Sequence, residues 1–581
     1  MFNNNVLLVL SNVIKMMRLA TCTLLVLFVG LLAGCGQQQS QNDKSIGMDS
    51  VIFTRTGLFL KMNEPVAIKE VNVSKDGQKV AAKTVNTKGD ALINFDWNAN
   101  TKYDLEVVTG KGKVNMPVYS SEKSSPVKIV EIPLEELDKG EMEYRYYASR
   151  GAEVCFSPDG EYVAVGSKGG YIYLVNVKSK DIVWKNKISE GRACEVAFTS
   201  DGKLLAGEES RDGYLYCYDV KTGKMLWQYK TCSDFGAEND QVSNTGRYKN
   251  YPFTIWGLCI DKNNNPYVLA RYSGEREIKG KKIPVSEALV YKFDINNGQP
   301  VWKFPIKSSA WSLRISEDGK YVIPSVGWAQ AATVYVLDGS SGKPFWEHTF
   351  TFPEKDPESF RGKTGFEARI SPDNKYVVVN QVYPDYTFVF DNEKSVQTGQ
   401  PQLLWKKKFL QVLDVGGVPI GVSTVNLKLT DKDIIFATWS TRAMGPTAND
   451  SQLPAQHPDA DTLFVYDYDG NLKWKWKMGE GTWNKDCILS KDGTYMVIPI
   501  GLVPETPFAN PQDMGIYVFS PEVAGGATAK LDWFYHTEGF AYKVDVSPDN
   551  NCIAVLEGPF DIDPDRMKEN IVGKHRLIIL S

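Results

Sequence analysis

Residues 218–227 read Tyr-Asp-Val-Lys-Thr-Gly-Lys-Met-Leu-Trp, and this stretch decides the fold. Gly223 can supply the positive φ that a tight turn needs, and the Asp219 side chain can bond to nearby backbone. Alternating apolar and polar residues on both sides of the turn suit two half-buried strands. The stretch therefore predicts a β-hairpin, whose second strand ends in Trp227. That side chain is large enough to fill the gap between neighbouring sheets.

Degenerate copies of this hairpin recur at 175–184, 293–302, 337–346 and 466–474. A second signature, a turn similar to Ser-Pro-Asp-Gly, occurs eight times, at 157–160, 200–202, 261–264, 317–319, 371–374, 430–433, 490–493 and 547–550. Seven tryptophans end the matching outer strands, namely Trp184, Trp227, Trp302, Trp346, Trp405, Trp474 and Trp533. A unit that recurs in this way indicates a repeat architecture, in which these tryptophans are structural.

The eight inner turns exceed the seven tryptophans by one, and this mismatch suggests how the repeats close. After residue 550 the chain has room for two further strands and then stops. We expect residues 142–149 to supply the missing outer strand, because pairing the two ends removes exposed sheet edges. The sequence thus predicts an all-β protein whose residues 141–581 form an eight-bladed β-propeller, with seven blades as the alternative.

Residues 50–136 alternate apolar and polar residues between turn signals. The stretch around Tyr103 resembles the closing strands of an immunoglobulin-like or fibronectin-like sandwich, in which a tyrosine often fixes a corner. We predict a small immunoglobulin-like β-sandwich here, followed by a short charged linker.

The N-terminus carries an export signal. Lys15 and Arg18 precede the apolar run 19–32, which is too short for a spanning helix and ends in Leu-Ala-Gly-Cys35. Small residues before a cysteine resemble the bacterial lipobox, and this resemblance implies that Cys35 is lipidated. An ordinary signal anchor is the alternative. We expect a signal peptide at 1–35, a flexible tether at 36–49, and a protein anchored by lipid to the cell membrane or outer membrane of a bacterium.

Composition excludes several classes of function. The 581-residue chain carries 66 basic and 70 acidic residues, a formal net charge of −4, so no basic field attracts nucleic acid. Its four histidines are far apart, and its cysteines form no CxxC, CxxCH or vicinal pair. Haem attachment, zinc knuckles and multi-histidine metal sites therefore lack support, and we predict no metal and no cofactor.

The pattern Asp-x-x-Thr-Gly-Lys-x-x-Trp of residues 219–227 resembles the PQQ-like propeller repeat, and the Ser-Pro-Asp-Gly turns resemble WD-like repeats. The resemblance covers about three quarters of the chain. A lipid-anchored propeller without catalytic additions is similar to the outer-membrane assembly lipoproteins. Quinoprotein dehydrogenases with PQQ and Ca²⁺ share the repeat, but they typically carry a vicinal cysteine pair that this sequence lacks.

Long insertions fall in two kinds of connection, those from a second to a third strand and those from one repeat to the next. In a propeller both emerge on the same face, and long loops on a rigid scaffold commonly carry recognition. We expect aromatic and arginine anchors there for a protein or a cell-surface polymer. These predicted partner-binding residues are Arg271, Tyr272, Trp328, Tyr383, Tyr386, Trp439, Arg442, Phe508 and Phe560. Packing of these loops on one another as a cap is the alternative.

The inner strands carry polar residues one and three positions before the apolar residue that precedes each inner turn. Period-two alternation places both sets on one side of their strands, where they can line a central channel. These residues are Glu153, Glu195, Glu367, Arg314, Arg369, Lys428, Asp486, Lys543 and Asp545. A cation or polar ligand could bind among them, whereas salt bridges between blades around a water-filled channel are the plainer interpretation.

No GxSxG, P-loop, dinucleotide-binding or HExxH pattern occurs. We therefore predict a non-enzymatic binding scaffold, with a protein or cell-surface polymer as its partner. The two alternatives are a PQQ- and Ca²⁺-dependent quinoprotein dehydrogenase, and a polysaccharide-acting enzyme that uses carboxylates such as Glu208 with Asp561.

Overall fold

The computed structural model describes part of the chain, and every structural statement below concerns that part. The described residues are 48–54, 57–62, 67–87, 90–95, 97–98, 101–119, 129–135, 153–237, 251–278, 280–329, 331–351, 364–381, 385–445, 453–478, 482–484, 487–490, 496–502, 514–519, 531–561 and 571–581. The predicted lipobox at Cys35 and residues 36–47 of the predicted tether lie outside them, whereas Met48 and Asp49, also predicted as tether, belong to the first strand. No helix in these ranges is long and apolar enough to cross a membrane.

The chain divides into two compact units, Met1–Val127 and Lys128–Ser581. The strands of the first unit are β1 (Met48–Thr54), β2 (Gly57–Met62), β3 (Ile68–Lys75), β4 (Gln78–Val80), β5 (Lys83–Thr87), β6 (Asp90–Asn94), β7 (Lys102–Thr109) and β8 (Gly112–Tyr119). They form two antiparallel four-stranded sheets, in the orders β1-β2-β6-β5 and β4-β3-β7-β8.

Both sheets of the first unit contribute to one core. Leu60 and Ile93 come from one sheet, and Val73 and Leu105 come from the other. The alternate residues of β7 are buried and exposed, as expected for a sheet with one solvated face. The hydroxyl of Tyr103 accepts a hydrogen bond from the main-chain N–H of Asn98, at 2.8 Å. The tyrosine therefore fixes the chain where it enters β7.

The second unit is built from groups of four antiparallel strands. Its strands are β9 (Ile129–Pro133), β10 (Glu153–Phe156), β11 (Tyr162–Gly166), β12 (Tyr171–Asn176), β13 (Ile182–Lys187), β14 (Arg192–Phe198), β15 (Lys203–Ser210), β16 (Tyr214–Asp219), β17 (Met225–Lys230), β18 (Phe253–Ile260), β19 (Pro266–Ile278), β20 (Lys281–Phe293), β21 (Pro300–Ile306), β22 (Ala310–Ile315), β23 (Tyr321–Ala329), β24 (Ala331–Asp338), β25 (Pro344–Thr351), β26 (Thr364–Ile370), β27 (Tyr376–Gln381), β28 (Tyr386–Asp391), β29 (Leu403–Lys408), β30 (Leu413–Val415), β31 (Val418–Gly421), β32 (Thr424–Leu429), β33 (Asp433–Thr438), β34 (Arg442–Ala443), β35 (Thr462–Asp467), β36 (Leu472–Lys477), β37 (Thr482–Asn484), β38 (Ile488–Leu489), β39 (Met496–Leu502), β40 (Gly515–Phe519), β41 (Leu531–His536), β42 (Phe540–Val546), β43 (Ile553–Gly558), β44 (Phe560–Asp561), β45 (Ile571–Val572) and β46 (Arg576–Leu580).

Within each group the strands pair in chain order. The first four groups are β10 to β13, β14 to β17, β18 to β21 and β22 to β25, and the fifth is β26 to β29. The sixth is β32-β33-β35-β36, and the seventh is β39 to β41 with β37 and β38 on the inner side. Hydrogen bonds also join the second group to the third through Glu209 and Thr254, and the fourth to the fifth through Gly327 and Gly365.

The eighth group corrects the predicted closure. Its order is β42-β43-β46-β9, so the outer position on β46 is filled by Ile129–Pro133 and not by residues 142–149. Residues 142–149 lie outside the described ranges. The unit boundary at 127 and 128 accordingly precedes the predicted linker, and the strand at 129–133 belongs to the second unit, not to the β-sandwich predicted over 50–136.

The first strand of each group packs against the first strands of its neighbours, in the succession β42, β10, β14, β18, β22, β26 and β32. The second and third strands are the most buried, since each lies between two strands and under an adjacent group. A typical core cluster joins the third, fourth and fifth groups through Leu269, Val336 and Phe390. Apolar runs such as Val377-Val378-Val379 are buried on both faces, as their near-continuous hydrophobicity indicates.

Several connections carry structure of their own. A 3-10 helix at Cys232–Phe235 follows β17, and helix α1 (Asn392–Thr398) follows β28. The Asp391 side chain caps α1 by accepting from the main-chain N–H of Lys394, at 3.0 Å. β30, β31 and β34 form a small added sheet, and β44 pairs with β45.

Candidate functional site, a decorated face on a repeat scaffold

The recurring tryptophans link each group of strands to the next. The indole N–H of Trp184 donates to the Val220 oxygen at 2.7 Å, and that of Trp405 donates to the Tyr468 oxygen at 2.8 Å. Trp227 and Trp302 make the same bond to the following group, and Trp346 donates to the Asn392 side chain instead. Trp474 is buried, and the side chain of Trp533 lies outside the described residues. The hairpin motif thus joins neighbouring groups.

The glycine of the hairpin motif meets the tryptophan of the preceding group. Gly223 has φ of +66°, and a Cβ there would lie 2.8 Å from the Trp184 ring. Gly298 has φ of +68°, and its Cβ would lie 2.5 Å from the Trp227 ring. Glycine is therefore required for two reasons: the positive φ, and the close approach of the tryptophan ring. The aspartate, as in Asp219, accepts from the main chain of the turn.

The insertion of the third group is a regular hairpin. Residues 273–286, which the sequence places in a long connection between a second and a third strand, continue β19 and β20 in register from Ser273 and Ser286 to Ile278 and Lys281. Arg276 braces this hairpin by donating to both carboxylate oxygens of Glu287, at 3.4 and 3.2 Å. Ile283, which pairs with Arg276 across the hairpin, is 41% exposed. The hairpin extends the sheet past its own group because the cross-strand pairing continues without interruption.

The added sheet brings the two kinds of long connection together. β31 lies in the connection from the fifth group to the sixth, whereas β34 lies between the second and third strands of the sixth. They pair through Ile420 with Ala443 and through Gly421 with Arg442. This pairing places both kinds of connection on one side of the second unit, which we call the decorated face.

The third group shows the same arrangement. The 3-10 helix lies in the connection from the second group to the third, and its Phe235 oxygen accepts from the Arg276 guanidinium at 3.1 Å. Asp234 of that helix accepts from the hydroxyls of Tyr229 and Tyr291, at 2.8 and 3.0 Å. The connection is thereby fixed to the base of the long hairpin, so the decorated face is built from ordered segments.

Four of the predicted partner-binding residues have described side chains that are partly exposed. Arg271 is half-buried, and its guanidinium lies 4.3 Å from the centre of the Trp256 ring. Tyr386 is half-buried, with the Lys406 ammonium 3.8 Å from its ring centre. Trp439 packs against the core of the eighth and first groups, and Arg442 is half-buried in β34. They are partly available to a partner.

Tyr272 corrects the prediction. It is 1% exposed and stacks on Phe253, with ring centres 4.8 Å apart, so it belongs to the core. The prediction failed because the expected loop is a continued strand, and the strand period turns this side chain inward. Tyr383 and Phe508 lie outside the described residues. Trp328 and Phe560 fall in β23 and β44, and their side chains lie outside the described part.

The predicted channel residues form contacts between neighbouring inner strands. Lys543 of the eighth group meets Glu153 of the first, at 2.7 Å. Asp545 accepts from the main-chain N–H of Phe156 at 2.7 Å, across the same boundary. These contacts are the polar links between adjacent repeats that were the alternative to a ligand site in the channel.

Glu367 is the centre of a second set of such contacts. Arg314 of the preceding group and Arg369 of its own strand lie 3.3 and 3.2 Å away, and Leu427 of the following group donates its N–H at 3.0 Å. Burial raises the pKa of Glu367, but the two guanidinium groups outweigh it and hold the pKa below its usual range. Glu195 in β14 and Lys428 in β32 are half-buried on their own inner strands, and Asp486 lies outside the described residues.

Sequence reasoning missed the inner-strand bulges. In β14, β18, β22 and β42 one extra residue interrupts the pairing at the same repeat position, four before the apolar residue that precedes the turn. These residues are Cys194, Trp256, Trp311 and Tyr542. Bulges redirect side chains and often lie beside functional sites. An alignment of the inner strands on their turns would have shown the large aromatic residues at this position.

The enzyme alternatives named metal-dependent chemistry and the carboxylate of Glu208, and both can be compared with the described residues. No group of three or more His, Cys, Asp or Glu side chains that could hold a metal occurs in the part of the chain that is described. Glu208 is 2% exposed and accepts from Ser210 and Tyr214, at 2.5 and 3.0 Å. Burial raises its pKa. The Glu208 carboxylate is thus buried and hydrogen-bonded within its own group of strands. The Asp561 side chain lies outside the described residues.

Comparisons with known proteins bear on the fold. The family model described as "Outer membrane protein assembly factor BamB" matches residues 131–244. The C-terminal WD40 domain of Sif2 is similar at 11% identity, with a TM-score of 0.45, covering 76% of this chain and 97% of that one. U3-55K is similar at 10% identity, with a TM-score of 0.40, covering 75% and 97%. Comparison with curated proteins found no significant match.

The repeated four-stranded groups and the tryptophan links define the second unit as a β-propeller repeat structure, and the family match adds a likeness to PQQ-like repeats over part of it. The match covers residues 131–244. It begins inside β9, the strand that occupies the outer position of the last group.

Proposed function

We propose that the protein is a non-enzymatic scaffold, and that its decorated face binds a protein partner or a cell-surface polymer. The observation that carries this proposal is the pairing of β31 with β34, through Ile420 and Ala443, which gathers two kinds of insertion on one side. Ordered, partly exposed segments on a rigid base suit recognition. Half-buried Arg271, Tyr386, Trp439 and Arg442 are the side chains proposed to contact the partner.

The scaffold in this proposal is an eight-bladed propeller. The pairing of β46 with β9 supports it, since the last group is completed by a strand from the start of the unit. The first unit is an immunoglobulin-like sandwich in the same proposal. Its two sheet orders and the Tyr103 bond to Asn98 are those expected of that fold.

Export and lipid anchoring complete the proposal, and they rest on the sequence around Cys35. We expect Cys35→Ser to move the protein from the membrane fraction of its bacterial host to a soluble fraction, with Cys232→Ser as a matched control. An unchanged membrane fraction for Cys35→Ser would contradict lipid anchoring. It would leave the proposed role of the decorated face untouched.

The role of the decorated face is tested by shortening its longest hairpin. Replacing residues 274–285 with Asn-Gly joins Ser273 to Ser286, which already pair, so the sheet below stays intact. The control changes Lys221 and Lys224 to alanine, in the exposed outer turn of the second group. After crosslinking in native cells, a specific partner should be lost from the hairpin variant and retained by the control. Equal recovery from both would contradict the proposal.

A further inference from the structure

Lys168 is a buried cation that the scaffold does not use. It lies in the turn between β11 and β12 and is 7% exposed, and its ammonium nitrogen has no hydrogen-bond partner among the described residues. Polar groups buried in this way normally have partners, and a charged one without a partner is costly. Burial, with a smaller effect from the Arg192 charge, holds the pKa of Lys168 well below its usual range. The residue therefore weakens the fold.

The neighbours of Lys168 are an aromatic ring, the Arg192 charge and the Glu135 carboxylate, which accepts from the main-chain N–H of Gly169 at 2.9 Å. Its ammonium lies 4.4 Å from the ring centre of Tyr542, the bulged residue of β42. The nearby cation Arg192 is already paired with Glu209, at 3.0 Å. Among the described residues, no carboxylate forms a salt bridge with Lys168. The site therefore has a positive group over an aromatic ring, and its nearby carboxylate, Glu135, is taken up by hydrogen bonds from Gly169 and Tyr173 and forms no salt bridge with Lys168 among the described residues.

A similar pair lies in the third group. Trp256 is the bulged residue of β18, and the Arg271 guanidinium lies over its ring at 4.3 Å. The bulges lie in the half of each inner strand that follows the connection from the preceding group, which is the side of the decorated face. Cations over aromatic rings thus recur at one level, just below the decorated face.

We propose that Lys168, on the ring of Tyr542, receives a carboxylate from an acidic segment of the protein partner. This inference rests on the proposed function and names the chemistry of the partner. An acidic segment supplies the missing counter-charge, and the hydrogen-bonded ion pair stabilises the complex because the site is shielded from water. The four-carbon stem of lysine lets the ammonium move toward the entering group.

The test uses the full chain and poly-L-glutamate as the probe, with poly-L-lysine and polygalacturonate for comparison. We expect poly-L-glutamate to bind, and Lys168→Met to weaken that binding by at least about tenfold. Lys168→Arg should retain most of it. Lys221→Met, in an exposed outer turn, should bind as the unchanged protein does. Lys168→Met should also raise the melting temperature, because it removes an uncompensated buried amine.

Three results would overturn the inference: equal binding of poly-L-glutamate by Lys168→Met and the unchanged protein, binding of polygalacturonate in its place, or no binding of either. A lower melting temperature for Lys168→Met would also contradict it, since the amine would then be contributing to the fold. Failure here is distinguishable from failure of the scaffold proposal, because the hairpin variant tests capture of the native partner without reference to Lys168.

Discussion

The indole N–H of Trp227 donates to the main-chain oxygen of Ile295, 2.8 Å away in the next group of strands. The same tryptophan ring covers Gly298 of that group. One residue therefore satisfies a backbone acceptor and fills the space above a glycine turn in its neighbour. This relation recurs from group to group. Each such contact joins two short sequence motifs, one in each of two neighbouring repeats.

Trp227→Phe should cost about 1 kcal/mol of the free energy of unfolding, because the ring contact is largely kept and the hydrogen bond is lost. Trp184→Phe, which removes the bond to Val220, should cost a similar amount. Denaturant unfolding followed by circular dichroism would measure both. A cost near zero at both positions would mean that the indole bonds do not stabilise the repeat.

The contact between glycine and tryptophan can be separated from the backbone requirement by two matched variants. Gly202 and Gly298 both have positive φ, +87° and +68°, but a Cβ at Gly202 meets open space. Gly202→Ala should cost about 1–2 kcal/mol from backbone strain alone. Gly298→Ala should cost clearly more, because its Cβ would lie 2.5 Å from the Trp227 ring. Equal losses in denaturant unfolding would show that the ring adjusts freely.

The hairpin motif could be predicted from sequence because its determinants are contiguous. Asp219, Gly223 and Trp227 specify a turn, a backbone conformation and a contact within ten residues. The closing strand could not be located in this way. Its residues, Ile129–Pro133, pair with Arg576–Leu580 at the far end of the chain. Their alternation of apolar and polar residues is shared by many other segments, so it does not identify the pairing partner.

The details of the candidate site were harder to predict for a related reason. Tyr272 was expected on the surface, but the pairing of β19 with β20 continues past it and turns it into the core. The bulge at Tyr542 depends on register across two strands, which no local pattern reveals. The inner-strand ion pair of Lys543 with Glu153 was foreseen as one alternative, because period two fixes the side of each strand.

Glu367 should contribute to stability in a pH-dependent manner. Its pKa is lowered in the folded state, chiefly because the cations Arg369 and Arg314 outweigh the effect of burial. A lowered carboxyl pKa stabilises the fold above the unfolded value, near 4.3, and this contribution is lost as the pH falls through the folded value. Glu367→Gln should therefore reduce stability at pH 7 and flatten the loss of stability below pH 5. Melting temperatures across that range would check this, and parallel curves would contradict it.

The outer strands carry lysines beside exposed apolar residues. In β29, Leu403 and Leu404 are each 47% exposed, and Lys406 and Lys408 follow them on the same edge strand. Charged side chains on an edge strand discourage pairing with other molecules. Changing Lys406 and Lys408 together to threonine should raise aggregation, measured by light scattering at equal concentration. Leu403→Ser should lower it, and no change in either variant would mean that this edge is protected by other means.

His575 supplies a pH dependence of its own at the junction of the eighth and first groups. Its Nε2 lies 3.2 Å from the Tyr542 hydroxyl, and Glu135 and Lys168 are the charged neighbours that act on it. Burial lowers its pKa from 6.5 to about 4. Between these two values His575 is protonated in the unfolded chain and neutral in the folded one. Stability should fall as the pH drops from 6.5 toward 4, by up to about 3 kcal/mol from this group. His575→Gln should remove that part of the slope in denaturant unfolding, and an unchanged slope would show that His575 titrates normally in the folded protein.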